Sequence, residues 1–372
     1  MDTFLMTYQS FTTPTKLLHK LIERYNVPNH LDLEEREFEK LKKAVKLRVC
    51  TVLKVWIKRH FKDFSQRLLR EVYDFINTSL PTDGLLQMAK MLRAEISKHL
   101  DGKEDMTQVG MTQTEMDPKV PKNIFSPKLS IFDIDEEELA RQQTLIEFRI
   151  YSKIQPTELL NLAWSKPHLK HRAPNVMELI SKFNILSRWV TTCIVTTKKI
   201  RDRVKMFQRF IKLGECFRAI NNFNGLMAIL SGLNDSSVYR LKFTREEIPR
   251  RDKTTLQDLD TLMSTESSYK VYRETLSKSA ICVPYLGVFL TDLTFIEEGN
   301  RDYLANLINF SKRKLICDVI FSVQRFQRNS YSIRPVHQII TLFEKLDPLS
   351  TQKCYELSLE IEPRGKERAD IL

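Results

Sequence analysis

Glycine is scarce in this sequence, with nine residues in a chain of 372. Apolar residues instead recur at spacings of three and four, a pattern typical of amphipathic helices. The longest apolar stretch, residues 281–296, is shorter than the ~20 residues that cross a bilayer, and it contains Pro284 and Asp292. The first ten residues lack the basic region and apolar run of a signal peptide. The sequence therefore predicts a soluble, all-α protein.

Motifs of phosphate binding and covalent catalysis are also absent. The sequence has neither GxxxxGK[ST] nor GxGxxG, the loops that cradle phosphates, and it lacks the GxSxG of serine hydrolases. His168 and His171 have a spacing that a metal could use, but prolines flank them and no acid or cysteine adjoins them. A surface loop explains this pair better than a metal site. We therefore expect no metal, no cofactor and no covalent enzyme chemistry.

The six cysteines are scattered and never form a CxxC pair. Each lies among apolar residues, as Cys193 does beside Ile194 and Cys317 beside Ile316. This placement is typical of reduced core thiols rather than of a disulfide framework or a zinc site. It predicts a cytoplasmic protein.

The formal net charge of +12 favours acidic partners, such as nucleic acid, an anionic membrane surface or an acidic protein face. Nucleic-acid binders usually concentrate basic residues on one element, with exposed aromatic residues or a known motif. Here the basic clusters are dispersed and interleaved with acids. Solvated helix faces are the favoured interpretation, with weak attraction to a membrane second. The clusters are Lys40, Lys42, Lys43 and Lys46; Lys198, Lys199, Arg201, Arg203 and Lys205; Arg250, Arg251 and Lys253; and Lys312, Arg313 and Lys314.

Amphipathic segments and one polar stretch divide the chain. The early apolar stripes fall in residues 15–25, 47–64, 68–76 and 85–96. Residues 101–127 differ in composition from these helical segments: they are rich in Thr, Gln, Lys, Asp and Pro and have little apolar periodicity. Helical patterning resumes at about residue 135. We therefore predict a small helical domain in residues 1–100, a linker in 101–127 and a larger helical domain in 128–366.

The segment PYLGVFLTDLTFIEEGN, residues 284–300, ends an apolar helix pattern on two acids. Acids at a helix C-terminus face the negative end of the dipole, at a cost of a few tenths of a kcal/mol each. A second helix pattern follows a short Gly-Asn turn and runs from Leu304 to Val323, so the two helices are predicted to form a hairpin. On composition alone, a core hairpin whose terminal acids reach solvent is the favoured interpretation.

Longer blocks of sequence carry a specific resemblance. LTDLTFIEEGN and NLINFSKRK are similar to the catalytic hairpin of Ras-family guanine-nucleotide exchange factors of the Son of sevenless type. RQQTLIEFRIYSKIQPTELLNLAWSK, FNILSRWV, AINNFNGLMAILSGLNDSSVYRL and SLEIEP resemble other blocks of that catalytic domain. DTFLMTYQSFTTPTKLL and VLKVWIKRHFKDF resemble the Ras exchanger motif domain that accompanies it. The resemblance implies an all-α exchanger motif in residues 1–100 and a Ras-GEF catalytic domain in 128–366, with a protruding helical hairpin.

The resemblance also implies a mechanism. Such proteins bind a small GTPase of the Ras, Rap or Ral type, displace GDP and magnesium with the hairpin, and stabilise the nucleotide-free state until GTP binds. The hairpin residues that match are Glu298, Thr294, Leu290, Thr291 and Gly287. Glu298 matches the carboxylate that enters near the phosphate and magnesium site, which leaves Glu297 facing solvent. Thr294 matches the position that occludes the magnesium site, where Son of sevenless has leucine, so we expect less complete occlusion.

Further GTPase contacts are implied outside the hairpin helix. The matching residues are Tyr285, Asn234, Ser236, Tyr239, Asn184 and Tyr269. Ser237 stands where the family commonly has proline, and Phe243 and Arg245 replace a lysine and a tryptophan found in many members. These departures are expected to alter which GTPase is preferred. The asparagines at 221, 222 and 224 are interpreted as capping or turn residues.

Trp56 matches a tryptophan of a second, allosteric GTPase site, but its core spacing within a helix favours plain packing. The helix that usually precedes DTFLMTY in the exchanger motif is missing, so we expect the chain to be a fragment of a longer protein.

Two other functions remain open on the sequence. One is a non-catalytic GTPase-binding scaffold of the same fold, and the other is a basic nucleic-acid-binding helical protein. The favoured partner is a Ras-family small GTPase, without nucleic acid. Because Ras-type substrates carry lipid anchors, transient contact with an anionic membrane surface is a further hypothesis. The predicted localisation is cytoplasmic, with recruitment to the inner face of the plasma membrane.

Overall fold

A computed structural model describes residues 1–28, 34–101 and 117–367. The chain divides into two compact units. Unit 1 comprises Met1–Val109 and Arg301–Cys317, and unit 2 comprises Gly110–Asn300 and Asp318–Leu372. Both units are built from helices, and the strands of the described residues form a single two-stranded sheet. The predicted all-α class is confirmed.

The described residues in the N-terminal part of unit 1 form five α-helices. They are α1 Asp2–Thr7, α2 Pro14–Tyr25, α3 Glu35–Arg59, α4 Gln66–Thr82 and α5 Leu86–Leu100. The predicted start of α2 is confirmed, because Pro14 is its first residue and the Thr13 hydroxyl accepts the Lys16 amide at 3.3 Å. Ser65 caps α4 in the same way through the Leu68 amide.

Trp56 lies at the centre of the unit 1 core and is fully buried. Its indole N–H donates to the Asp63 carboxylate at 2.9 Å, and the Tyr8 hydroxyl donates to the same oxygen at 2.7 Å. The Trp56 ring packs 4.5 Å from that of Phe64. Packing therefore accounts for this residue, as its spacing predicted. Since its side chain is fully buried, direct contact with a second GTPase would require the core to open, and that role stays a prediction.

Unit 2 contains the longer helical array. Its helices are α6 Glu136–Tyr151, α7 Pro174–Thr196, α8 Ile200–Ala219, α9 Phe223–Leu233, α10 Ser236–Tyr239, α11 Lys242–Glu247, α12 Arg250–Leu262, α13 Lys270–Lys278, α14 Leu286–Gly299, α16 His337–Glu344 and α17 Thr351–Ile361. Helix α9 packs closely on α7, since a Cβ added at Gly232 would lie 2.5 Å from the Ser187 carbonyl oxygen. His168 and His171 are exposed in a short 3-10 helix.

A buried polar network ties the loop before α9 to α6. The Asn222 amide donates to Glu147 and to Thr144, both at 2.8 Å, while its oxygen accepts the Gly225 amide and caps α9. Burial raises the pKa of Glu147. The same loop exchanges backbone hydrogen bonds with Val283, just before α14. The predicted capping role is thus confirmed at Asn222, and Asn221 takes a turn conformation with φ of 56°.

The segment after α14 differs from the prediction of a continuous second helix. Residues 303–308 form an antiparallel pair, β1 Tyr303–Leu304 and β2 Leu307–Ile308, and helix α15 begins only at Phe310 and ends at Arg325. Ala305 and Asn306 both have positive φ, which a helix does not accommodate. The predicted helix over residues 304–309 was therefore wrong, because exposed apolar residues in a strand pair imitated helical spacing.

Residues 301–317 belong to unit 1 and contain an internal ion-pair cluster. Asp302 accepts hydrogen bonds from Lys312 at 2.9 Å and from Arg313 at 2.6 Å. The Arg313 guanidinium also lies 5.7 Å from the ring centroid of Phe11. Asp302 thus ties the start of this segment to α15, and the Arg313–Phe11 contact joins the segment to the residues between α1 and α2.

All six cysteines are buried and unbridged, which confirms their interpretation as core thiols. Across the described residues, no helix combines the length and apolar character that a membrane crossing requires.

Candidate functional site: the α14 hairpin and its base

Helix α14 carries the five hairpin residues singled out from the sequence. Leu290 is buried, whereas Thr291 is exposed and Thr294 is half-buried one turn further along. The Thr291 hydroxyl donates to the Gly287 carbonyl at 2.9 Å, and that of Thr294 donates to the Leu290 carbonyl at 2.8 Å. Both hydroxyls are thus turned back onto the helix backbone.

Gly287 has a specific steric role at the start of α14. A Cβ at this position would lie 2.4 Å from Cζ and 2.5 Å from the hydroxyl oxygen of Tyr285. The Tyr285 ring therefore lies across the first turn of the helix, where only glycine leaves room for it. These two predicted residues form one structural feature.

Aromatic residues from three elements surround Tyr285. Its ring stacks on Phe183 of α7 at 5.7 Å and lies 6.4 Å from Tyr269, which precedes α13. Its backbone amide donates to the Tyr272 hydroxyl at 2.9 Å. Tyr269 has a positive φ of 63°, so its backbone is strained. We call Phe183, Tyr269, Tyr272 and Tyr285 the aromatic base; it brings together two of the predicted contacts.

An ion pair holds the middle of α14 to α13. Two guanidinium nitrogens of Arg273 donate to the two carboxylate oxygens of Asp292, at 2.9 and 2.8 Å. This bidentate geometry is the strongest form of a carboxylate pair. Sequence reasoning did not identify Arg273, because nothing in the local pattern links it to a residue 19 positions away.

The C-terminal end of α14 presents an exposed carboxylate. Glu298 is exposed, and its side chain makes no hydrogen bond or ion pair with the described residues. The prediction that Glu297 faces solvent is wrong, since that residue is half-buried and its Oε1 is inaccessible. Asn300 follows the helix, and its amide donates to the Ile296 carbonyl at 3.0 Å. Glu298 alone of the two acids therefore projects outward at the negative end of the dipole.

A second group of predicted residues lies where α9 ends and α10 begins. Asn234 is exposed and its amide donates to Asp260 at 3.1 Å, while burial raises the pKa of Asp260. Ser236 is exposed, and Tyr239 exposes 64% of its surface. The guanidinium of Arg245 lies 5.0 Å from the Tyr239 ring centroid. We call Asn234, Ser236 and Tyr239 the α9–α10 corner.

Helix α7 links the aromatic base to the α9–α10 corner. Asn184 is exposed on α7, directly after Phe183 of the aromatic base. Ser187, whose carbonyl is covered by Gly232 of α9, follows one helical turn later. Of the predicted contacts outside the hairpin helix, the structure thus brings Tyr269 and Tyr285 together, while Asn184 is exposed one residue after Phe183 on α7.

Two of the family departures have structural consequences. Ser237 is fully buried next to Asp235, whose side chain accepts the Ser237 amide at 2.9 Å. Arg245 stands where many members have tryptophan, and its guanidinium contacts two aromatic rings. It lies 5.0 Å from the ring centroid of Tyr239 and 6.0 Å from that of Phe207. Burial lowers the pKa of Arg245. Among the residues that the structure describes, no cluster of three or more His, Cys, Asp or Glu side chains could hold a metal.

Two family models match the chain. The RasGEF domain covers residues 138–314 and the RasGEF N-terminal motif covers residues 1–75. The chain belongs to the RasGEF family. Its similar proteins include three from Dictyostelium discoideum, named Ras guanine nucleotide exchange factors I, J and A. They are 47%, 46% and 44% identical to it over 372, 376 and 391 residues.

Each alignment covers 100% of this RasGEF chain but only 45%, 46% and 63% of the three relatives. The chain therefore spans about half the length of relatives I and J and somewhat more of relative A.

Proposed function

We propose that the chain is a guanine-nucleotide exchange factor for a Ras-family small GTPase. The observation that carries the proposal is Glu298, an exposed carboxylate at the C-terminal end of an apolar helix. In isolation this placement costs free energy, about 0.3–1 kcal/mol. Such a cost is expected where a residue acts on a partner rather than on its own fold.

Exchange needs no covalent chemistry, which agrees with a sequence that has no nucleophile motif. A partner that binds the empty GTPase more tightly than the loaded one must weaken nucleotide affinity by the same factor. The Glu298 carboxylate supplies negative charge that competes with phosphate for the same hydrogen-bond donors. Thr294, one turn earlier, supplies bulk toward the magnesium position.

The remaining predicted residues are proposed to position Glu298 and Thr294 or to add further contacts with the GTPase. Leu290 and Thr291 line the approach to Thr294, and Gly287 admits the Tyr285 ring that fixes the start of α14. We propose that Tyr269 and Asn184 contact the GTPase beside the hairpin base. The α9–α10 corner, with the exposed Tyr239 ring backed by Arg245, is proposed to take a second contact.

The direct test is release of a fluorescent GDP analogue from a panel of Ras, Rap, Ral and Rho-type GTPases. We expect acceleration for at least one Ras-family member and none for the Rho type. Replacing Glu298 and Thr294 together with alanine should abolish most of it. Glu360 offers a matched control, since it is also the exposed penultimate residue of a helix. Full acceleration by the Glu298→Ala/Thr294→Ala variant would contradict the hairpin assignment.

Two alternatives have distinct outcomes in the same experiment. Binding to a GTPase without acceleration on any member of the panel would indicate a scaffold of the same fold. Salt-sensitive binding to RNA or DNA with no GTPase contact would indicate a nucleic-acid-binding protein, as the net charge of +12 first suggested.

The place of action is a further part of the proposal. We propose a cytoplasmic protein that contacts the inner face of the plasma membrane transiently, since its net charge of +12 is suited to an anionic lipid surface.

A further inference from the structure

Helix α3 has a long stretch of one charge sign. Between residues 40 and 59 it carries eight Lys and Arg residues and no Asp or Glu. Three of the eight pair with acids: Lys42 with Glu39, Lys46 with Asp83 and Arg59 with Asp2. The other five have no acidic partner among the described residues: Lys40, Lys43, Arg48, Lys54 and Lys58.

Four of these five cations share one side of the helix. At 3.6 residues per turn, residues 40, 43, 54 and 58 fall within an arc of about 60°, directly opposite the buried residues Val49 and Trp56. Lys40, Lys43 and Lys58 are exposed and Lys54 is half-buried. The set spans about 27 Å along the helix axis. We call these four lysines the basic ridge.

The residues between the lysines decide which anionic partner fits. Leu47 lies among the four lysines and is 36% exposed. Between residues 40 and 58 the only aromatic side chain is Trp56, which is fully buried and therefore offers no surface on which a base could stack. Lysines that flank an exposed leucine on one side of a helix are typical of a segment that lies on a lipid headgroup layer.

We propose that the basic ridge of α3 is the surface through which this chain contacts an anionic membrane, with Leu47 reaching the headgroup layer. The biological reason for this membrane contact rests on the proposed function, but the vesicle experiment that tests it does not. Nucleotide exchange on a lipid-free GTPase in solution tests the proposed function, whereas vesicle binding tests the role of the basic ridge. One proposal can therefore fail while the other holds.

The first experiment uses sedimentation of the full chain with two kinds of vesicle. One is phosphatidylcholine alone and the other contains about 30% phosphatidylserine, whose surface attracts each nearby cation enough for about a fivefold gain in binding. The test variant carries Lys→Gln at residues 40, 43, 54 and 58. The control variant carries Lys→Gln at residues 16, 20, 62 and 90, which are exposed and lie outside α3, and it removes the same total charge.

Glutamine is nearly as good a helix former as lysine, so both variants should fold, and circular dichroism checks this. We expect the wild-type chain to bind only the phosphatidylserine vesicles. The affinity for these vesicles should fall about 100-fold in the ridge variant and less than tenfold in the control variant. Equal weakening in both would show that net charge alone acts. No binding by the wild-type chain, or tighter binding to a duplex oligonucleotide than to vesicles, would also overturn the proposal.

A second measurement tests contact directly. The three native tryptophans, Trp56, Trp164 and Trp189, are all buried, so Leu47→Trp adds the one exposed indole of the chain. Its emission should shift to shorter wavelength on phosphatidylserine vesicles and be quenched by brominated lipid. Vesicle binding without either change would show that the basic ridge does not face the membrane.

Discussion

Arg273 of α13 and Asp292 of α14 form a bidentate ion pair, with N–O distances of 2.9 and 2.8 Å. The pair spans the middle of the helix whose far end carries Glu298. It also satisfies the one acid that interrupts the apolar run of this helix before its end. Arg273 is therefore a positioning residue for the hairpin, although it lies outside the predicted contact set.

Removing the pair should slow exchange without abolishing it. Both side chains are about one-third exposed, so solvent screens the pair, and we expect Arg273→Ala to reduce exchange about three- to tenfold. Asp292→Ala should have a similar effect, and the double variant should be no worse than either single one. Fluorescent GDP release measures all three. Lys278→Ala at the exposed end of α13 is the control; additive losses would show that the two residues act independently.

Gly287→Ala should impair both the hairpin and its base. The added methyl would lie 2.4 Å from the Tyr285 ring, which must move away from Phe183. We expect a loss of roughly 1–3 kcal/mol in unfolding free energy and slower GDP release. Combining it with Tyr285→Ala removes the clash. If Gly287→Ala has the same effect in both backgrounds, the proposed steric relationship is wrong.

Asp83 links a loop of unit 1 to α2 and α3, and it should make stability dependent on pH. Lys46 donates to this carboxylate at 2.6 Å, and this hydrogen bond lowers its pKa; burial opposes the shift, while the Tyr25 hydroxyl at 2.8 Å adds to it. In the unfolded chain the pKa of an Asp carboxyl is about 4, and the ionised carboxylate of Asp83 stabilises the folded state above that pH. This stabilisation is lost as the pH falls through the lower pKa of the folded state.

Asp83→Asn should therefore lower the unfolding free energy of unit 1 by roughly 1–3 kcal/mol at pH 7, because Lys46 loses its charged partner. The deficit should shrink below pH 4. Hydrogen exchange in peptides from α2 to α4 at pH 7 locates the effect, and thermal unfolding from pH 3 to 7 follows its pH dependence. Asp74→Asn, at an exposed position of α4, is the control. A deficit that persists unchanged at pH 3 would contradict the assigned charge effect.

Local sequence signals predicted most of the helices but not their tertiary partners. The start of α2 followed from Pro14 and the cap before it, and the buried side of α3 followed from spacing. Residues 304–309 were mistaken for helix, because Leu304, Leu307 and Ile308 are exposed in strands where helical spacing suggested a buried stripe.

In the candidate site too, the sequence predicted local features but not the contacts between distant segments. Periodicity placed Glu298 at a helix end, but on its own it favoured a core hairpin, and only the family resemblance assigned a role. The Arg273–Asp292 pair and the stacking of Phe183 on Tyr285 depend on contacts between distant segments. No local pattern encodes such contacts. The exposure of Glu298 rather than Glu297 likewise follows from how α14 packs.

The central claim is that the Glu298 carboxylate drives nucleotide release. The most direct test compares Glu298→Gln with Glu360→Gln in fluorescent GDP release from the GTPase that responds best to the wild-type chain. Glutamine keeps the shape and removes the charge. We predict release slowed roughly 10- to 100-fold for Glu298→Gln, the value of one charge-assisted hydrogen bond, and wild-type release for Glu360→Gln. Wild-type rates for both variants would contradict the claim.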